Sequence, residues 1–389
     1  MTRRPTVALL ALSVDDAGES GGGTERACAQ LLRHARADVD FIVLADALAP
    51  DLHGAVEWRR VRLPRRPAAL RDVLFFFVAG WKLRSTRADV KHATGAIVPN
   101  RVSLSTVHYC HAAYRAKVGR RLDREGQILR RLNTALHRLV AEIAERWVYR
   151  PERAARLAAV SVGVANELRA HFPGVDVVVV PNGVDLERFQ PNSETRRVLR
   201  SETATPDDEL VALFVGGDWS RKGLEVAIRS IGLARGVGMH VALWVVGAGD
   251  ERRFGALAES CGVADAVRFF GRRMDTQRFF AAADLCLLPS SYETFSLVAY
   301  EAAASGLPVI GTDVSGVAEL IRDGGGGVLV DATPPSVLAA LRSLEDQDRR
   351  IAFGQSGRHW AQRFTWETSA KAMVDLYRRS TDGLGDAEE

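Results

Sequence analysis

Two carboxylates, Glu293 and Glu301, lie close together in the sequence, where a predicted strand is followed by a loop and a predicted helix. The apolar strand ends at Pro289, a short loop carries Glu293, and Glu301 falls two turns into an otherwise apolar helix. A carboxylate inside such a helix is costly to bury without a polar partner, and the hydroxyl groups of a ligand would supply one. The alternative is a surface segment in which Glu301 is solvated.

The same turn predicts a site for a phosphate group. Either Thr294 or Ser296 can cap the helix, which ends before Gly306. The helix then begins at the carboxyl edge of a parallel sheet, where such folds bind ligands. Its first N–H groups, from Phe295 to Leu297, are therefore available to an anion.

Several motifs of the chain, taken together and in this order, resemble those of the retaining glycosyltransferases of family 4. The two glutamates match one motif, because seven residues separate them. The resemblance covers nearly all of residues 181–379 and implies the GT-B fold, which is α/β with two Rossmann-like doubly wound domains facing across a cleft. The other matching motifs are Pro181-Asn-Gly-Val-Asp-Leu-Glu-Arg-Phe189, Val246-Gly-Ala-Gly249, Ala281-Ala-Ala-Asp-Leu285 and Phe364-Thr-Trp366.

Arg221 and Lys222 lie between a predicted strand and a predicted helix. In the resembling family an arginine and a lysine bind the donor diphosphate, through charge-assisted bonds that act where negative charge develops. The family usually places the arginine four or five residues before the lysine. The adjacent pair seen here is similar to the subset that acts on lipopolysaccharide core. The alternative is a solvated basic turn.

The resemblance assigns further roles in the donor site. Glu301 is expected to hold the ribose hydroxyls and Glu293 those of the sugar, while Lys222, Arg221 and the helix start bind the diphosphate. The backbone near Arg272 and Met274 is expected to read the base. The remaining donor-binding residues on this interpretation are Thr294, Phe295, Ser296, Leu297 and Gly247.

The stretch Ser20-Gly-Gly-Gly-Thr-Glu25 joins the first predicted strand to the first helix. Gly22 and Gly23 allow close approach of the backbone, and the helix start offers an anion site. The stretch does not match GxGxxG, so it does not predict a nicotinamide dinucleotide. In the resembling family this loop closes over the donor phosphates near the acceptor. The alternative is a flexible turn.

His108 and His111 follow another predicted strand, with Cys110 between them. Their spacing is poor for zinc and no second ligand cluster appears, so we expect no metal. The resemblance instead brings His108 close to the transferred sugar. The alternatives are a histidine that only packs and, less favoured, a metal ligand.

Short apolar runs alternate with helical patterns, which predicts parallel sheets with right-handed crossovers. We expect an acceptor-binding domain (1–183), a nucleotide-sugar-binding domain (184–365) and a helix (366–389) that crosses back to the first. The polar stretch 191–208 is predicted to be the inter-domain linker or its edge. Strands are predicted at 6–12, 39–45, 90–93, 103–108, 158–161, 175–180, 210–215, 240–246, 267–270, 285–289, 309–312 and 327–330.

Composition excludes several classes of protein. The chain has 389 residues, 47% hydrophobic and 26% charged, which fits two or three globular domains rather than disorder. The net charge of +4 is too small for a dedicated nucleic-acid binder. Four cysteines without a CxxC pair favour a reducing compartment. Residues 1–11 lack a signal-peptide cleavage site and are predicted to hold the first strand.

Two segments raise the question of membrane contact. Residues 68–84 have apolar positions at helical spacing, widened by Phe75 and Phe76, and residues 111–150 carry ten Lys/Arg against four Asp/Glu. We favour a core helix with one or two exposed aromatics. The alternative is a helix that lies on a membrane while the basic segment attracts anionic lipid. The apolar positions are Leu70, Val73, Leu74, Phe77 and Trp81.

The resemblance therefore implies a metal-independent glycosyltransferase without a cofactor, and the cysteine usage favours a cytoplasmic location, peripheral at the membrane in the alternative above. A hexose-type sugar would pass from a UDP or GDP donor to an acceptor hydroxyl with retention, and the first hypothesis for the acceptor is an anionic or lipid-linked molecule. The alternatives are glycosylation of a small natural product, a sugar-nucleotide 2-epimerase on the same fold, and a non-catalytic sugar-nucleotide-binding protein. Base, sugar, acceptor and oligomeric state stay open.

Overall fold

The computed structural model describes residues 3–16, 22–64, 67–118 and 128–385. Two parts of the predicted functional segments, Ser20-Gly21 of the glycine-rich loop and 119–127 of the basic segment, lie outside the described residues. The chain divides into two compact units, one of Met1–Gly183 with Trp366–Glu389 and one of Val184–Thr365.

Each unit contains one parallel sheet with helices between its strands. The strands of the first unit are β1 (Thr6–Leu10), β2 (Asp40–Leu44), β3 (Glu57–Trp58), β4 (Val90–Ala93), β5 (Leu104–Val107), β6 (Arg156–Ala159) and β7 (Asp176–Val179). Its helices are α1 (Gly23–Ala35), α2 (Ala68–Arg84), α3 (His111–Val118), α4 (Ile128–Val148), α5 (Val162–His171) and α14 (Trp366–Gly385).

The second unit continues the numbering. Its strands are β8 (Leu210–Val215), β9 (Val241–Val246), β10 (Val267–Phe269), β11 (Leu285–Leu288), β12 (Val309–Thr312) and β13 (Gly327–Val330). Its helices are α6 (Ser193–Glu202), α7 (Leu224–Gly236), α8 (Glu251–Ser260), α9 (Thr276–Ala282), α10 (Leu297–Ala304), α11 (Val317–Arg322), α12 (Pro334–Ser343) and α13 (Gln347–Ala361).

The first sheet has the order β3-β2-β1-β4-β5-β6-β7. Most of its strands are short and largely buried, because both faces of a parallel sheet are covered by helices. The one strand that the sequence did not predict is β3, whose two residues form no apolar run. The core includes one face of α14, where the Tyr377 hydroxyl lies 2.7 Å from Nδ1 of the buried His92. Thr106 Oγ1 lies 2.7 Å from Nε2 of the same ring.

Helix α2 was predicted correctly in position but wrongly in orientation. The predicted core stripe is largely exposed, since the exposed fractions of Phe77 and Trp81 are 63% and 71%. The buried side consists of small residues together with Phe75 and Leu83. A Cβ at Gly80 would lie 2.7 Å from Cδ of Pro99, so this side packs more closely than a row of large side chains could.

The second sheet has the order β10-β9-β8-β11-β12-β13, and all six of its strands lie where the sequence predicted them. These two sheets confirm the α/β, doubly wound class. The prediction of a linker at 191–208 was wrong, because residues Ser193–Glu202 form α6 inside the second unit. Residues 191–208 are polar in part because arginines of α6 bond to residues 206–209 and 282–284 of the same unit.

One of these arginines, Arg200, is 2% exposed. Its Nη2 donates to the carbonyl oxygens of Pro206 and Glu209 at 2.6 Å, and its Nη1 lies 3.2 Å from Asp284 Oδ2. Asp284 also accepts a hydrogen bond from the backbone N–H of Val211, the second residue of β8, at 2.7 Å. A charged network therefore fixes α6 to the central strands.

We predict that Arg200→Met destabilises the protein by about 3 kcal/mol, because it leaves the carbonyl groups of Pro206 and Glu209 without their donor and removes one of the two guanidinium groups that pair with Asp284. Urea unfolding followed by circular dichroism at pH 7 measures the change. The control is Arg197→Met on the same helix, whose side chain is 72% exposed, and it should leave the transition unchanged. Equal transitions for the two variants would show that the network contributes nothing.

Candidate functional site

In the second unit, a buried ion pair joins the turn after β8 to the loop after β11. Lys222 Nζ lies 2.8 Å from Glu293 Oε1, and both residues are 8% exposed. The same carboxylate oxygen accepts a hydrogen bond from Ser290 Oγ at 3.1 Å. Because β8 and β11 are neighbours in a parallel sheet, their carboxyl ends bring these two turns to one place.

Two glycines allow the turns to approach this closely. Gly223 has a φ of +79°, and a Cβ there would lie 2.1 Å from the carbonyl oxygen of Pro289. Gly216 has a φ of +147°, and a Cβ there would lie 2.3 Å from Cδ of Lys222. Both positions need glycine for its conformation and for its missing side chain. The lysine stem consequently lies directly on the backbone of Gly216.

Arg221 reaches the same carboxylate from the other side. Its Nη1 lies 3.4 Å from Glu293 Oε1 and donates to the carbonyl oxygen of Tyr292 at 2.6 Å. Its Nε donates to Asp218 Oδ2 at 2.9 Å. The predicted pair of cations and the predicted glutamate are thus brought together by the fold.

These charges set the protonation state of Glu293. Burial alone would raise the pKa of this carboxyl, but the positive charges of Lys222 and Arg221 oppose it. Hydrogen bonds from Lys222 and Ser290 add to their effect, and the pKa lies below its ordinary value. Glu293 is therefore an ionised acceptor of hydrogen bonds at neutral pH, and not a proton donor.

The helix after this loop, α10, begins at Leu297 with Ser296 in the N-cap position, so Thr294 is not the cap. Ser296 has a φ of +61°, which a residue with a side chain rarely adopts, and its side chain makes no capping bond. Its buried Oγ has no partner among the described residues. Free N–H groups and an unpartnered hydroxyl therefore occur together at the carboxyl edge of the sheet.

Glu301 lies in the second turn of α10 and is 6% exposed. This burial contradicts the alternative in which Glu301 is solvated. The helix around it is apolar on every side, and the neighbouring Tyr300 stacks on Phe295 with a centroid distance of 4.2 Å. A carboxylate in such a helix belongs to a polar site rather than to the protein surface.

The remaining predicted donor residues follow neighbouring strands. Gly247 comes directly after β9, and its N–H donates to the carbonyl oxygen of Gly271 at 2.8 Å. Arg272 and Met274 lie in the loop after β10 and are exposed. The carbonyl of Met274 accepts a hydrogen bond from Arg188 Nη2 at 2.5 Å. In the sheet, β9 and β10 are two and three strands away from β11.

In the first unit, His108 directly follows β5. Burial lowers the pKa of its imidazole to about 4, so the ring is neutral at pH 7. Gly22 and Gly23 are exposed at the start of α1, and the N–H of Gly22 donates to Glu25 Oε2 at 3.1 Å. His108 and Glu25 line the same cavity, which has a volume of about 580 Å³.

The described part of the basic segment is partly neutralised. Arg115 Nη1 and Arg146 Nη2 lie 2.5 and 2.8 Å from the two oxygens of Glu142, which is buried. Sequence counting could not separate these paired arginines from free ones, because the acids that neutralise them face the interior.

Sequence reasoning missed Ser290 and the cavity of the first unit. The serine offered a signal, since a polar residue at the carboxyl end of a buried strand often faces a ligand site. The cavity did not, because it forms between two helices, α2 and α4, that are 43 residues apart at their nearest ends.

Within the described ranges, no helix combines the length and apolarity needed to cross a membrane. Nor do the His, Cys, Asp and Glu side chains of these ranges form a group of three or more that could hold a metal ion.

Two sequence models of known families match the chain. The model described as Glycosyltransferase Family 4 matches residues 21–188, and the model described as Glycosyl transferases group 1 matches residues 209–347. Between them they match well over half of the sequence. The chain belongs to glycosyltransferase family 4.

Relatives with assigned names fit this family 4 assignment. The chain is 36% identical over 223 residues to D-inositol 3-phosphate glycosyltransferase 2 of Catenulispora acidiphila, a match that covers 54% of this chain and 52% of the relative. It is 37% identical over 214 residues to D-inositol 3-phosphate glycosyltransferase of Corynebacterium kroppenstedtii, covering 51% and 47%. The chain thus spans about half the length of these relatives.

Solved structures of low sequence identity share the fold. WaaG, a glycosyltransferase involved in lipopolysaccharide biosynthesis, has a TM-score of 0.77 at 22% identity, with 95% of this chain and 99% of WaaG covered. Sucrose-phosphate synthase of Thermosynechococcus elongatus has a TM-score of 0.78 at 23% identity, with 97% and 99% covered. HepE of Anabaena, solved with UDP-glucose, has a TM-score of 0.71 at 17% identity, with 98% and 100% covered. These matches confirm the GT-B class of the family 4 chain.

We predict that Lys222 and Glu293 are energetically coupled by about 2 kcal/mol at pH 7, because each leaves a buried charge when the other is removed. A double-mutant cycle with Lys222→Met and Glu293→Gln, measured by urea unfolding, gives this value. The coupling should fade as the pH falls from 4.5 through the lowered pKa of Glu293, since the carboxylate is then protonated.

The control cycle uses Glu225→Gln and Arg229→Met, an exposed pair on α7 whose atoms lie 3.1 Å apart. Its coupling should stay below about 0.5 kcal/mol. Similar coupling in both cycles would contradict a special role for burial.

We also predict that His108 titrates near pH 4 rather than at the ordinary 6.5, because its burial disfavours the imidazolium. Chemical shifts of the 15N-labelled ring measure this, and His108→Gln assigns the signal. A ring that becomes protonated above pH 6 would show that water reaches it freely.

Proposed function

We propose that this family 4 chain transfers a hexose-type sugar from a nucleoside-diphosphate sugar to an acceptor hydroxyl, with retention at the anomeric carbon. The observation that carries the proposal is the buried Lys222–Glu293 pair with Arg221, at the sheet edge where α10 begins. The second unit binds the donor and the first unit the acceptor.

The donor diphosphate is negatively charged, so its binding site needs cations held in fixed positions. Lys222 and Arg221 supply it, and the free N–H groups of α10 with the Ser296 hydroxyl add neutral donors. As the bond to the sugar breaks, charge grows on the leaving phosphate, and the same cations stabilise it. We accordingly propose that the transfer requires no metal ion.

In this proposal, the two glutamates bind hydroxyl groups of the donor. Ionised Glu293 accepts hydrogen bonds from the sugar, and buried Glu301 accepts them from the ribose. With Glu293 ionised, the leaving phosphate itself takes the proton of the attacking hydroxyl. Attack and departure then occur on one face of the sugar, which retains its configuration. Gly247, Arg272 and Met274 are assigned to the nucleoside, and His108, Gly22 and Gly23 to the transferred sugar and phosphates.

UDP is the first choice of nucleotide, because HepE was solved with UDP-glucose and has the same fold. The names of the matched relatives support a glycosyltransferase rather than an epimerase or a binding protein. The four cysteines are free thiols, which fits the proposed cytoplasmic location.

We predict that one of UDP, GDP, ADP and TDP raises the melting temperature without added metal, since a ligand at 100 times its Kd stabilises by ~2.7 kcal/mol. Glu301→Gln should weaken the binding of that nucleotide at least tenfold. Lys222→Ala should weaken the binding of the nucleoside diphosphate but not that of the nucleoside alone, because the proposed partner of the lysine in the donor is the diphosphate.

Glu225→Gln on α7 is the matched control and should leave the affinity unchanged, because its side chain is exposed. Stabilisation by none of the four nucleotides would overturn the donor site. Conversion of the nucleotide-sugar at C2 without an acceptor would identify an epimerase instead, and NMR of a glycoside product reports whether configuration is retained.

A further inference from the structure

The cavity of the first unit has two chemically different parts. Its sheet end is formed by residues that come after three adjacent strands: Thr94 and His108 directly follow β4 and β5, and Ser13 lies three residues after the end of β1. Ligands of doubly wound folds bind at this edge. The remainder lies between α2 and α4 and is lined mainly by apolar side chains, including Phe76 and Val140.

The mouth of the cavity is also apolar. Phe77 and Ile143 line it and are 63% and 58% exposed, and Trp147 lines it at 45% exposure. Large apolar side chains are rarely left exposed in a group unless they meet another molecule. The volume of about 580 Å³ lies within the range of pockets that bind small organic ligands, roughly 300–1,000 Å³.

No lysine or arginine is among the described residues that line the cavity. The carboxyl groups among these lining residues have contacts inside the unit. Asp72 Oδ2 lies 2.6 Å from His137 Nδ1, and Glu25 Oε2 accepts a hydrogen bond from the N–H of Gly22 at 3.1 Å. The two oxygens of Glu145 accept hydrogen bonds from the N–H groups of His111 and Ala112. Burial also raises the pKa of Glu145 to about 8. A phosphate or carboxylate here would lose its water without gaining a cation.

We propose that this cavity binds the apolar body of an uncharged acceptor and presents its hydroxyl group at the sheet end, beside His108. This inference rests on the proposed transferase function, because it names the class of its second substrate. It favours a lipid-like or aromatic alcohol over an anionic acceptor. It also differs from the inositol phosphate in the names of the matched relatives.

The cavity can be tested without catalysis. N-phenyl-1-naphthylamine, an uncharged probe that fluoresces in apolar surroundings, should bind the full chain with a micromolar Kd. 2-Naphthol should displace it, whereas inositol 3-phosphate should not. Absence of probe binding, or displacement by the inositol phosphate alone, would overturn the proposal.

Two variants locate the probe. Ala144→Phe fills the cavity and Val140→Lys places a charge in it. Each variant should therefore raise the Kd of the probe at least tenfold. The matched controls are Ala135→Phe and Leu136→Lys, on the same helix and outside the lining, and they should leave the Kd unchanged. Melting temperatures with and without UDP confirm that each variant is folded. Equal Kd values for cavity and control variants would place the probe elsewhere and overturn the proposal.

Transfer assays then separate the two levels of the argument. With the nucleotide-sugar whose nucleotide stabilises the chain, 2-naphthol in solution and dioleoylglycerol in phosphatidylcholine vesicles are offered as acceptors. Glycosylation of either supports the inference and distinguishes a soluble alcohol from a membrane lipid. Transfer to inositol 3-phosphate alone overturns it while the transferase function stands. Probe binding with no nucleotide binding overturns the proposed function, and the acceptor role with it.

Discussion

The second unit depends on one close approach, in which the ammonium of Lys222 meets the carboxylate of Glu293 with almost no water. Two glycines make room for the pair: Gly223 lets its turn approach the carbonyl group of Pro289, and Gly216 leaves space for the stem of Lys222. A buried ion pair contributes little net stability, since both charges lose their hydration. Its value here is positional, because it fixes a cation and an anion at the sheet edge before any ligand arrives.

The two units answer different chemical demands with the same architecture. At the carboxyl edge of the second sheet the fold gathers cations, an ionised glutamate and free N–H groups, which suits a charged, hydroxyl-rich ligand. The corresponding edge of the first sheet carries a neutral histidine, and the cavity behind it is apolar. The same fold therefore provides a charged environment in one unit and an apolar environment in the other. The loops and helices make this difference, and the strands do not.

Sequence patterns predicted the strands well because buried parallel strands favour short apolar stretches, and twelve of the thirteen strands in the described residues overlap a predicted range. The family resemblance assigned Lys222, Arg221 and Glu293 to one donor site, and the fold brings them together because strand ends in a parallel sheet share one edge. Patterns failed where long-range contacts decide. The polar composition of 191–208 resembled that of a linker, because only the folded unit supplies the acceptors that bury the charge of Arg200.

The same limit applies to α2. Its periodicity identified a helix, but the packed side was chosen by the close contact of Gly80 with Pro99, which spacing cannot show. The cavity likewise depends on how two distant helices meet. Residue types predict which groups are costly to bury. The topology of the fold determines which group each of them contacts.

The path of the chain adds a final consequence. The core of the first unit is completed by Ala370, Met373, Val374 and Tyr377 of α14, yet residues 184–365 lie between this helix and the rest of the unit. During synthesis on the ribosome, α14 is made only after the residues of the second unit, so the sheet of the first unit lacks one of its covering helices until then. The unit that is translated first therefore completes its core only after residues 184–365 have been synthesised.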